Sequence, residues 1–326
     1  MSLLSFIDKV NQLASRKEAF FFLIDFEKKK PMVFSPQEAN EKGIYFAVNG
    51  QTNYAAATQP NLASKVKIQL VNFERYKTAF DKVQCHLSQG DSYLVNLTFP
   101  SKIELDRDLE SFFHAAKAPY RLLIKNALLS YSPECFIKIR NGQLFSYPMK
   151  GTIDANSPNA EKVLLGNPKE LWEHSTIVDL IRNDISQFAR DVKVNKFRYI
   201  DKIQNKVKDL LQVSSEIEGR LPANWKNQLG EIIWDLLPTG SISGAPKTKT
   251  IEIIQSVEAR ERGYYTGVYG YFDGENLDSA VAIRYIEQQD NDFYYWSGGG
   301  ITAYSSFEDE YQELKDKIYV PTGWID

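Results

Sequence analysis

The sequence predicts an α+β fold with largely antiparallel sheets, because of how its strand-like segments are arranged. Short runs rich in aromatic and β-branched residues are bounded by Gly, Asn, Asp or Pro, which is the pattern of strands. These runs follow one another in blocks and do not alternate regularly with helical segments, which favours antiparallel sheets with helices packed outside. They cover residues 19–26, 43–48, 92–99, 120–139, 143–153, 264–272, 279–288 and 292–303.

Three segments have helical patterns: residues 159–188, 246–257 and 306–318. The first repeats apolar residues near a 3.6-residue period, which is typical of an amphipathic helix. Pro246 suits the first position of the second helix. Ser305 or Ser306 is the expected N-cap of the third, with Glu308 and Asp309 in its first turn.

No Pro-, Gly- or Ser-rich linker divides the 326 residues. The length allows one large domain or two. We expect effectively one domain, in which residues 1–70 are a shortened N-terminal part of the same fold and residues 71–326 carry the functional motifs. The run at residues 19–24 is apolar throughout and too short to span a membrane, so it predicts a buried strand.

Composition argues against several classes of protein. A net charge of −3 is unlike the basic footprint of nucleic-acid binders. No run approaches 18 consecutive apolar residues, so no membrane span is expected. Cys85 and Cys135 are too few for a disulfide framework, and reduced thiols suggest a cytoplasmic location.

The first candidate for chemistry is Lys150, in the sequence PMKGT directly after a strand-like run. A lysine at a strand end, beside a glycine, can point into a cleft. If it is desolvated there, its amine can lose its charge and act as a nucleophile. From these five residues alone, a solvated lysine before a turn is the more common interpretation.

Two pairs of glutamates form the second candidate. Glu170 and Glu173 are spaced i, i+3 on one helix, and Glu310 and Glu313 repeat that spacing on the last helix. Such pairs often lie on an exposed face beside lysines. Four carboxylates from two helices would also suit Mg²⁺, which binds oxygen ligands.

The third candidate is the segment PTGSISGAPK at residues 238–247. Small residues that lead into a helix N-terminus expose backbone N–H groups, which bind anions. A phosphate loop would need Gly immediately before its lysine, but Pro246 precedes Lys247. We therefore expect a site for an anion such as a carboxylate, and a plain turn with a helix cap is the alternative.

The fourth candidate combines three glycines with a buried arginine. Residues 298–300 are three successive glycines, which have no side chains, so their backbone N–H groups can approach a ligand closely. A β-bulge or tight turn is the alternative interpretation. Arg284 lies in an apolar strand-like run. Since arginine is seldom buried without an anion, a bound carboxylate or an internal Asp or Glu is expected nearby.

In this order, the motifs resemble those of the chorismate-utilising enzymes, which include anthranilate synthase component I, aminodeoxychorismate synthase component I, and the isochorismate and salicylate synthases. The resemblance covers about residues 70–320. It is carried by GDSYLVNLT (90–98), SPE (132–134), PMKGT (148–152), EH (173–174) with IVDLIRND (177–184), PTGSISGAPK (238–247), RGYYTG (262–267), AIR (282–284), GGGI (298–301), and Glu310, Glu313 and Lys317.

The resemblance implies two large antiparallel sheets packed face to face, as in anthranilate synthase component I, with helices outside and the site between the sheets. It implies a Mg²⁺ ion that holds the ring carboxylate of chorismate. Glu173 and Glu313 would be its direct ligands, and Glu170 and Glu310 would act through water. The implied substrate-binding residues are Thr152, Ser241, Gly244, Ala245, Tyr265, Arg284, Gly299, Gly300 and Lys317.

Two positions separate the branches of this family. Lys150 stands where anthranilate synthases typically carry alanine and aminodeoxychorismate synthases carry the lysine thought to attack chorismate. Glu134 matches the acid proposed to protonate the leaving hydroxyl. Leu94 replaces the lysine with which isochorismate and salicylate synthases activate water, so that branch is not expected.

The resemblance therefore implies an enzyme that converts chorismate and ammonia to 4-amino-4-deoxychorismate, with ammonia supplied by a separate glutamine amidotransferase subunit. Leu94 also replaces a common glutamine, Gln212 a frequent histidine, and Ile153 the usual start of an Arg-containing tail. Anthranilate synthesis is the alternative reaction. A non-catalytic binding protein is the alternative from another class, but it would need neither Lys150 nor four metal carboxylates.

Overall fold

The computed structural model describes residues 2–55, 66–203 and 210–320. Its strands, in chain order, are β1 (Phe20–Ile24), β2 (Met32–Phe34), β3 (Ile44–Val48), β4 (Gln51–Thr52), β5 (Lys67–Gln69), β6 (Leu94–Glu104), β7 (Tyr120–Ile124), β8 (Leu128–Ser132), β9 (Cys135–Arg140), β10 (Gln143–Ser146), β11 (Met149–Asp154), β12 (Arg190–Ile203), β13 (Leu210–Arg220), β14 (Gly244–Ala245), β15 (Val268–Phe272), β16 (Leu277–Val281), β17 (Tyr285–Gln289) and β18 (Asp292–Ile301).

The α-helices of the described residues are α1 (Leu3–Ser15), α2 (Pro36–Glu41), α3 (Phe73–Ser88), α4 (Leu109–Ala115), α5 (Ala160–Gly166), α6 (Pro168–Ser186), α7 (Leu229–Asp235), α8 (Lys247–Glu258) and α9 (Phe307–Asp316). No helix in these ranges is long and apolar enough to cross a membrane.

The strands form two antiparallel sheets. The first sheet has the order β11-β13-β10-β9-β16-β15-β1-β2, with β12 beside β13. The second has the order β14-β6-β18-β17-β8-β7-β3-β4, with β5 beside β6. Strands before residue 70 thus lie in both sheets. The predicted strand-rich, antiparallel architecture is confirmed.

The two faces of β1 show how the sheets pack. All five of its residues are buried, as the apolar run predicts. Phe21 and Leu23 join a core that also holds Phe46 of the second sheet, and the rings of Phe21 and Phe46 stack 4.7 Å apart. Phe20 and Phe22 point to the other side, into a larger core that includes helix residues. The first sheet is therefore covered on both faces.

The helix predicted over residues 159–188 is two helices. Gly166 ends α5 and Pro168 begins α6, with Asn167 extended between them (ψ 115°). A residue before proline is disfavoured in the helical region, so the break follows from Pro168. The other two predicted helices are present with shifted ends: α8 begins at Lys247, after Pro246, and Ser306 caps α9.

Two predicted strand runs prove to cross between the sheets. The run 120–139 contains β7 and β8 of the second sheet and β9 of the first. The run 279–288 divides into β16 of the first sheet and β17 of the second. Alternating apolar residues are compatible with either sheet, so the pattern could not show the change. The residues at both crossovers are candidates for the site.

Candidate active site

Glu134 and Arg284 lie at the two crossovers between the sheets. Glu134 stands between β8 and β9, and Arg284 stands between β16 and β17 with a left-handed backbone (φ +50°). Each crossover accepts a backbone hydrogen bond from a neighbouring strand. Val281 N–H of β16 donates to Glu134 O (3.1 Å), and Tyr131 N–H of β8 donates to Arg284 O (3.2 Å). Both side chains therefore start from a rigid junction between the sheets.

The carboxyl group of Glu134 accepts a hydrogen bond from Ser241 Oγ (2.6 Å). Burial raises the pKa of this carboxyl above that of a free glutamate, while Ser241 and the charges of Lys150, Lys317 and Arg284 oppose the rise. Those three cations consequently lie close enough to Glu134 to act on it. A glutamate with a raised pKa retains its proton to higher pH, as a general acid requires.

Lys150 lies on β11, opposite Val213 of β13, and the register shifts immediately after it. Gly151 occupies the shift with φ +70°, a conformation that glycine adopts without strain. The Lys150 side chain is 18% exposed, and its Nζ lies 3.6 Å from Glu173 Oε2. Lys150 is thus a largely buried residue beside a buried carboxylate. It is not a solvated lysine before a turn.

The glycines of β18 allow side chains from three elements to come close. A Cβ placed on Gly300 would lie 3.1 Å from Lys150 Nζ, 3.9 Å from Glu173 Oε2 and 2.9 Å from Leu94 Cδ1. A Cβ placed on Gly299 would lie 3.0 Å from Glu313 Oε1 and 3.2 Å from Glu310 Oε2. Any larger residue would crowd the lysine or the carboxylates.

Three of the four glutamates, Glu173, Glu310 and Glu313, therefore approach consecutive glycines of β18. On α6, Glu173 is buried, and Glu170 Oε2 lies 3.0 Å from where a Cβ on Gly151 would stand. On α9, Glu310 is buried and accepts a hydrogen bond from Ser305 Oγ (2.6 Å). The structure brings together the pairs that the i, i+3 spacing singled out.

Lys317, which follows the last residue of α9, donates from Nζ to Glu313 Oε1 (2.5 Å) and to Gly298 O (2.8 Å). Glu313 and Glu173 thus each have a lysine partner in this conformation. Carboxylate oxygens from two helices are donors that fit Mg²⁺. Among the residues that the structure describes, however, no three His, Cys, Asp or Glu side chains form a ready metal-binding cluster.

The residues around Ser241, in the segment 239–245, fix its position next to Glu134. Gly244 and Ala245 pair as β14 with Val95 and Leu94 of β6. Gly244 has φ +134°, and a Cβ there would lie 1.8 Å from the Leu94 carbonyl oxygen, so only glycine fits. The Ala245 carbonyl accepts hydrogen bonds from Tyr93 N–H (2.8 Å) and Ser92 Oγ (2.9 Å). Ser241 is thus held by backbone pairing on its C-terminal side.

Arg284 donates from Nη1 to Lys317 O (3.1 Å), and its guanidinium stacks 4.8 Å from the centre of the Tyr319 ring. Its Nε is buried, with no hydrogen-bond partner in the described parts of the chain. No described carboxylate forms an ion pair with Arg284, although its charge lowers the pKa of the internal Glu134. Tyr265 is buried and stacks on Trp296 at 4.9 Å.

Thr152 is the remaining predicted site residue. Its backbone pairs with Gln212 of β13, and its side chain lies outside the described residues. Sequence reasoning gave no role to His174, which is buried beside Glu173 and shares a hydrogen bond between its Nε2 and Ser215 Oγ (2.6 Å). Burial lowers the pKa of His174 to about 4, so a neutral ring ties α6 to β13. Its position directly after Glu173 was the only signal.

Comparison with known proteins identifies the class of enzyme to which the chain belongs. The chain belongs to the family of chorismate binding enzymes, whose model matches residues 9–323. It is similar to a Haemophilus influenzae protein named uncharacterized PabA-like protein, with 49% identity over 321 residues, covering 98% of each chain.

A further relative is aminodeoxychorismate synthase component 1 of Klebsiella aerogenes, with 32% identity over 312 residues, covering 91% of this chain and 67% of the relative. Among solved structures, anthranilate synthase component I from Streptococcus pneumoniae matches with a TM-score of 0.66 and 24% identity, over 80% of this chain and 60% of that one. The predicted anthranilate synthase component I-like fold is confirmed.

Proposed function

We propose that the protein is an aminodeoxychorismate synthase component I, which converts chorismate and ammonia to 4-amino-4-deoxychorismate for 4-aminobenzoate and folate biosynthesis. The observation that carries this proposal is the position of Lys150. Its largely buried amine lies against the backbone of Gly300 and beside Glu173, and its charge lowers the pKa of the acid Glu134. A relative with 32% identity bears the name of this enzyme.

In the proposed reaction, neutral Lys150 Nζ forms a bond to C2 of chorismate, both ring double bonds shift by one position, and the C4–O bond breaks. Glu134 gives its proton to the leaving hydroxyl, which departs as water, and the adduct nitrogen carries the positive charge. Ammonia then forms a bond to C4, the double bonds shift back, and Lys150 leaves C2 as a neutral amine. The new C4 ammonium group keeps the positive charge, and Glu134 regains a proton from solvent. Hydroxide is a poor leaving group, so the reaction depends on an acid at the position of Glu134.

Lys150 must be neutral to attack, yet a free lysine has a pKa of about 10.4. In this structure the Lys150 amine is paired with the Glu173 carboxylate, with Nζ 3.6 Å from Oε2. A ligand that occupies Glu173 would remove the contact. The lysine and the metal ligands are therefore parts of one site.

Glu173 and Glu313 would hold a Mg²⁺ ion directly, and Glu170 and Glu310 would hold it through water. When bound, the ion supplies positive charge for the ring carboxylate of chorismate. Glu310 and Glu313 approach Gly299, Glu173 approaches Gly300, and Glu170 lies beside Gly151 on β11. Lys317 would move from Glu313 to the substrate.

The second carboxylate of chorismate would be bound by Arg284, Lys317, Tyr265 and the N–H groups of Gly299 and Gly300. Arg284 supports this assignment because its Nε is buried and has no partner in the described residues. A planar guanidinium suits a carboxylate. Thr152, Ser241, Gly244 and Ala245 would surround the ring carboxylate on the opposite side. Ammonia would come from a separate glutamine amidotransferase subunit.

The test is a product assay with the purified chain, chorismate, Mg²⁺ and ammonium at alkaline pH, read by chromatography and mass. We expect 4-amino-4-deoxychorismate, with a rate that rises as ammonium is deprotonated and does not respond to glutamine. The control is the same mixture with ammonium omitted. Anthranilate as the main product would replace the proposal by the alternative reaction, and glutamine-dependent turnover would refute the separate ammonia source.

A further inference from the structure

Arg262 and Glu258 form a buried ion pair that the reaction proposed above does not use. Their side chains are 1% and 0% exposed. Arg262 Nε donates to Glu258 Oε2 (2.9 Å) and Nη2 donates to Glu258 Oε1 (2.6 Å), which is a two-bond contact. Burying such a pair is costly, and an apolar replacement is often as stable. Stability alone therefore does not explain why Arg262 and Glu258 are buried together.

The remaining donors of Arg262 reach two other segments. Nη1 donates to the carbonyl of Ile242 (3.0 Å), and Nη2 donates to the carbonyl of Asn96 on β6 (2.7 Å). Glu258 in turn accepts from the backbone N–H of Thr98 on β6 (2.9 Å). The pair thus links the end of α8, the segment 239–245 and β6.

These contacts lead directly to the acid of the site. Ile242 follows Ser241, whose Oγ donates to Glu134. Asn96 N–H donates to Ser243 O (2.9 Å), on the other side of Ile242. Arg262 therefore holds the carbonyl of Ile242 and the strand against which this segment pairs.

We propose that Arg262, clamped by Glu258, is a positioning residue that sets the hydrogen bond from Ser241 to Glu134. This inference rests on the proposed function, because it gives Glu134 its role as acid. The guanidinium is needed, because an ammonium group could not reach Glu258, Ile242 O and Asn96 O at once in the same plane. The clamp has a second support: Glu27 accepts hydrogen bonds from the backbone N–H groups of Arg262 and Gly263 (2.8 and 3.0 Å).

The first measurement is hydrogen exchange in wild type and Arg262→Lys, which needs no turnover. Backbone amides of residues 239–245 should exchange faster in the variant, while those of β1 and β15 keep their protection. The matched control is Arg220→Lys, which alters an exposed pair with Asp191 (side chains 65% and 70% exposed). Unchanged exchange at 239–245 in Arg262→Lys would overturn the inference.

The second measurement is a double-mutant cycle with Ser241→Ala, followed by product formation. Arg262→Lys should lower kcat by roughly 10- to 100-fold with little change in KM, as misplacement of a reacting group does. The same change in the Ser241→Ala background should cost much less, because the bond it positions is already gone. Equal losses in both backgrounds would show that Arg262 acts independently of Ser241.

Glu258→Gln provides the same comparison if Arg262→Lys does not fold. If wild type makes no 4-amino product, the proposed function fails, and so does the link from the clamp to catalysis. The exchange measurement still decides whether the clamp holds residues 239–245. The two failures are therefore distinguishable.

Discussion

The two ion pairs Lys150–Glu173 and Arg262–Glu258 are built differently. Lys150 Nζ lies 3.6 Å from Glu173 Oε2, and 18% of the Lys150 side chain remains exposed. Arg262 makes two bonds of 2.6 and 2.9 Å to Glu258 and is almost fully buried. The Lys150–Glu173 contact is long, whereas the Arg262–Glu258 pair has two shorter bonds and further hydrogen bonds from Arg262 to the carbonyls of Ile242 and Asn96. If the proposed function holds, the long contact belongs to the group that reacts and the short ones to a group that positions others.

Removal of the Lys150 side chain should have the largest effect, because it deletes the cationic member of the Lys150–Glu173 pair. Lys150→Ala should abolish 4-amino-4-deoxychorismate, because no nucleophile remains to form the adduct. Ammonia or water could then reach C2, giving 2-substituted products. Chromatography with mass detection of the variant's products is the measurement.

Wild type provides the control for Lys150. Wild-type protein is incubated with chorismate in the absence of ammonia and the reaction is quenched. The peptide that contains Lys150 should then have gained the mass of chorismate less one water. If the alanine variant makes the 4-amino product at the wild-type rate and no adduct is trapped, Lys150 only binds substrate, and anthranilate synthesis has to be reconsidered.

Glu173→Gln breaks the same pair from the other side, and Glu313→Gln breaks its counterpart with Lys317. Each change removes one negative charge from the proposed Mg²⁺ site and keeps the side-chain shape. Activity should fall by orders of magnitude, because the ring carboxylate loses the charge that holds it. Steady-state kinetics over a range of Mg²⁺ concentrations is the measurement.

Glu252→Gln on α8 is the matched control for these variants, since that carboxylate pairs with Lys249 on an exposed surface. Full activity of Glu173→Gln and Glu313→Gln, or full wild-type activity in excess chelator, would rule out the metal site.

Glu134→Gln tests the acid that the Arg262–Glu258 pair is proposed to position. Its effect on activity should be smaller than those of the Lys150 variant and of the Glu173 and Glu313 variants. Gln cannot donate the proton, so kcat should fall by about 10²- to 10⁴-fold. Its Oε1 can still accept from Ser241, so the structure should be kept. A variant that retains wild-type kcat would contradict the role of Glu134 as the acid.

The pH dependence of stability gives an independent test of Glu134. Burial raises the pKa of Glu134 in the folded protein. At pH values between the free and the raised pKa, the folded protein therefore still holds this proton, whereas the unfolded chain has released it. The free energy of unfolding contributed by Glu134 therefore falls as pH rises through that window. Glu134→Gln should remove this fall, so that the variant gains stability relative to wild type with rising pH. Urea unfolding from pH 4 to 8 would measure it.

Local features of this protein followed from the sequence. The aromatic and β-branched runs predicted strands in the segments that they cover, but they missed β12 and β13. The fully apolar run at residues 19–24 is the buried strand β1. The spacing of Glu170 with Glu173, and of Glu310 with Glu313, paired the carboxylates correctly on their helices. Even the error at residues 159–188 was local, because Pro168 in the printed sequence is what separates α5 from α6.

Only the tertiary structure decided which distant residues meet. Alternation within the runs 120–139 and 279–288 could not reveal that the chain changes sheets at Glu134 and Arg284, because either sheet accepts the same alternation. The contact of Lys150 with Glu173, and that of Arg262 with Asn96, join strands, helices and loops far apart in the chain. Sequence spacing reports neighbours along one element, whereas contacts between elements depend on sheet order and packing. The sequence therefore determined the chemical groups of the site, and the fold determined their partners.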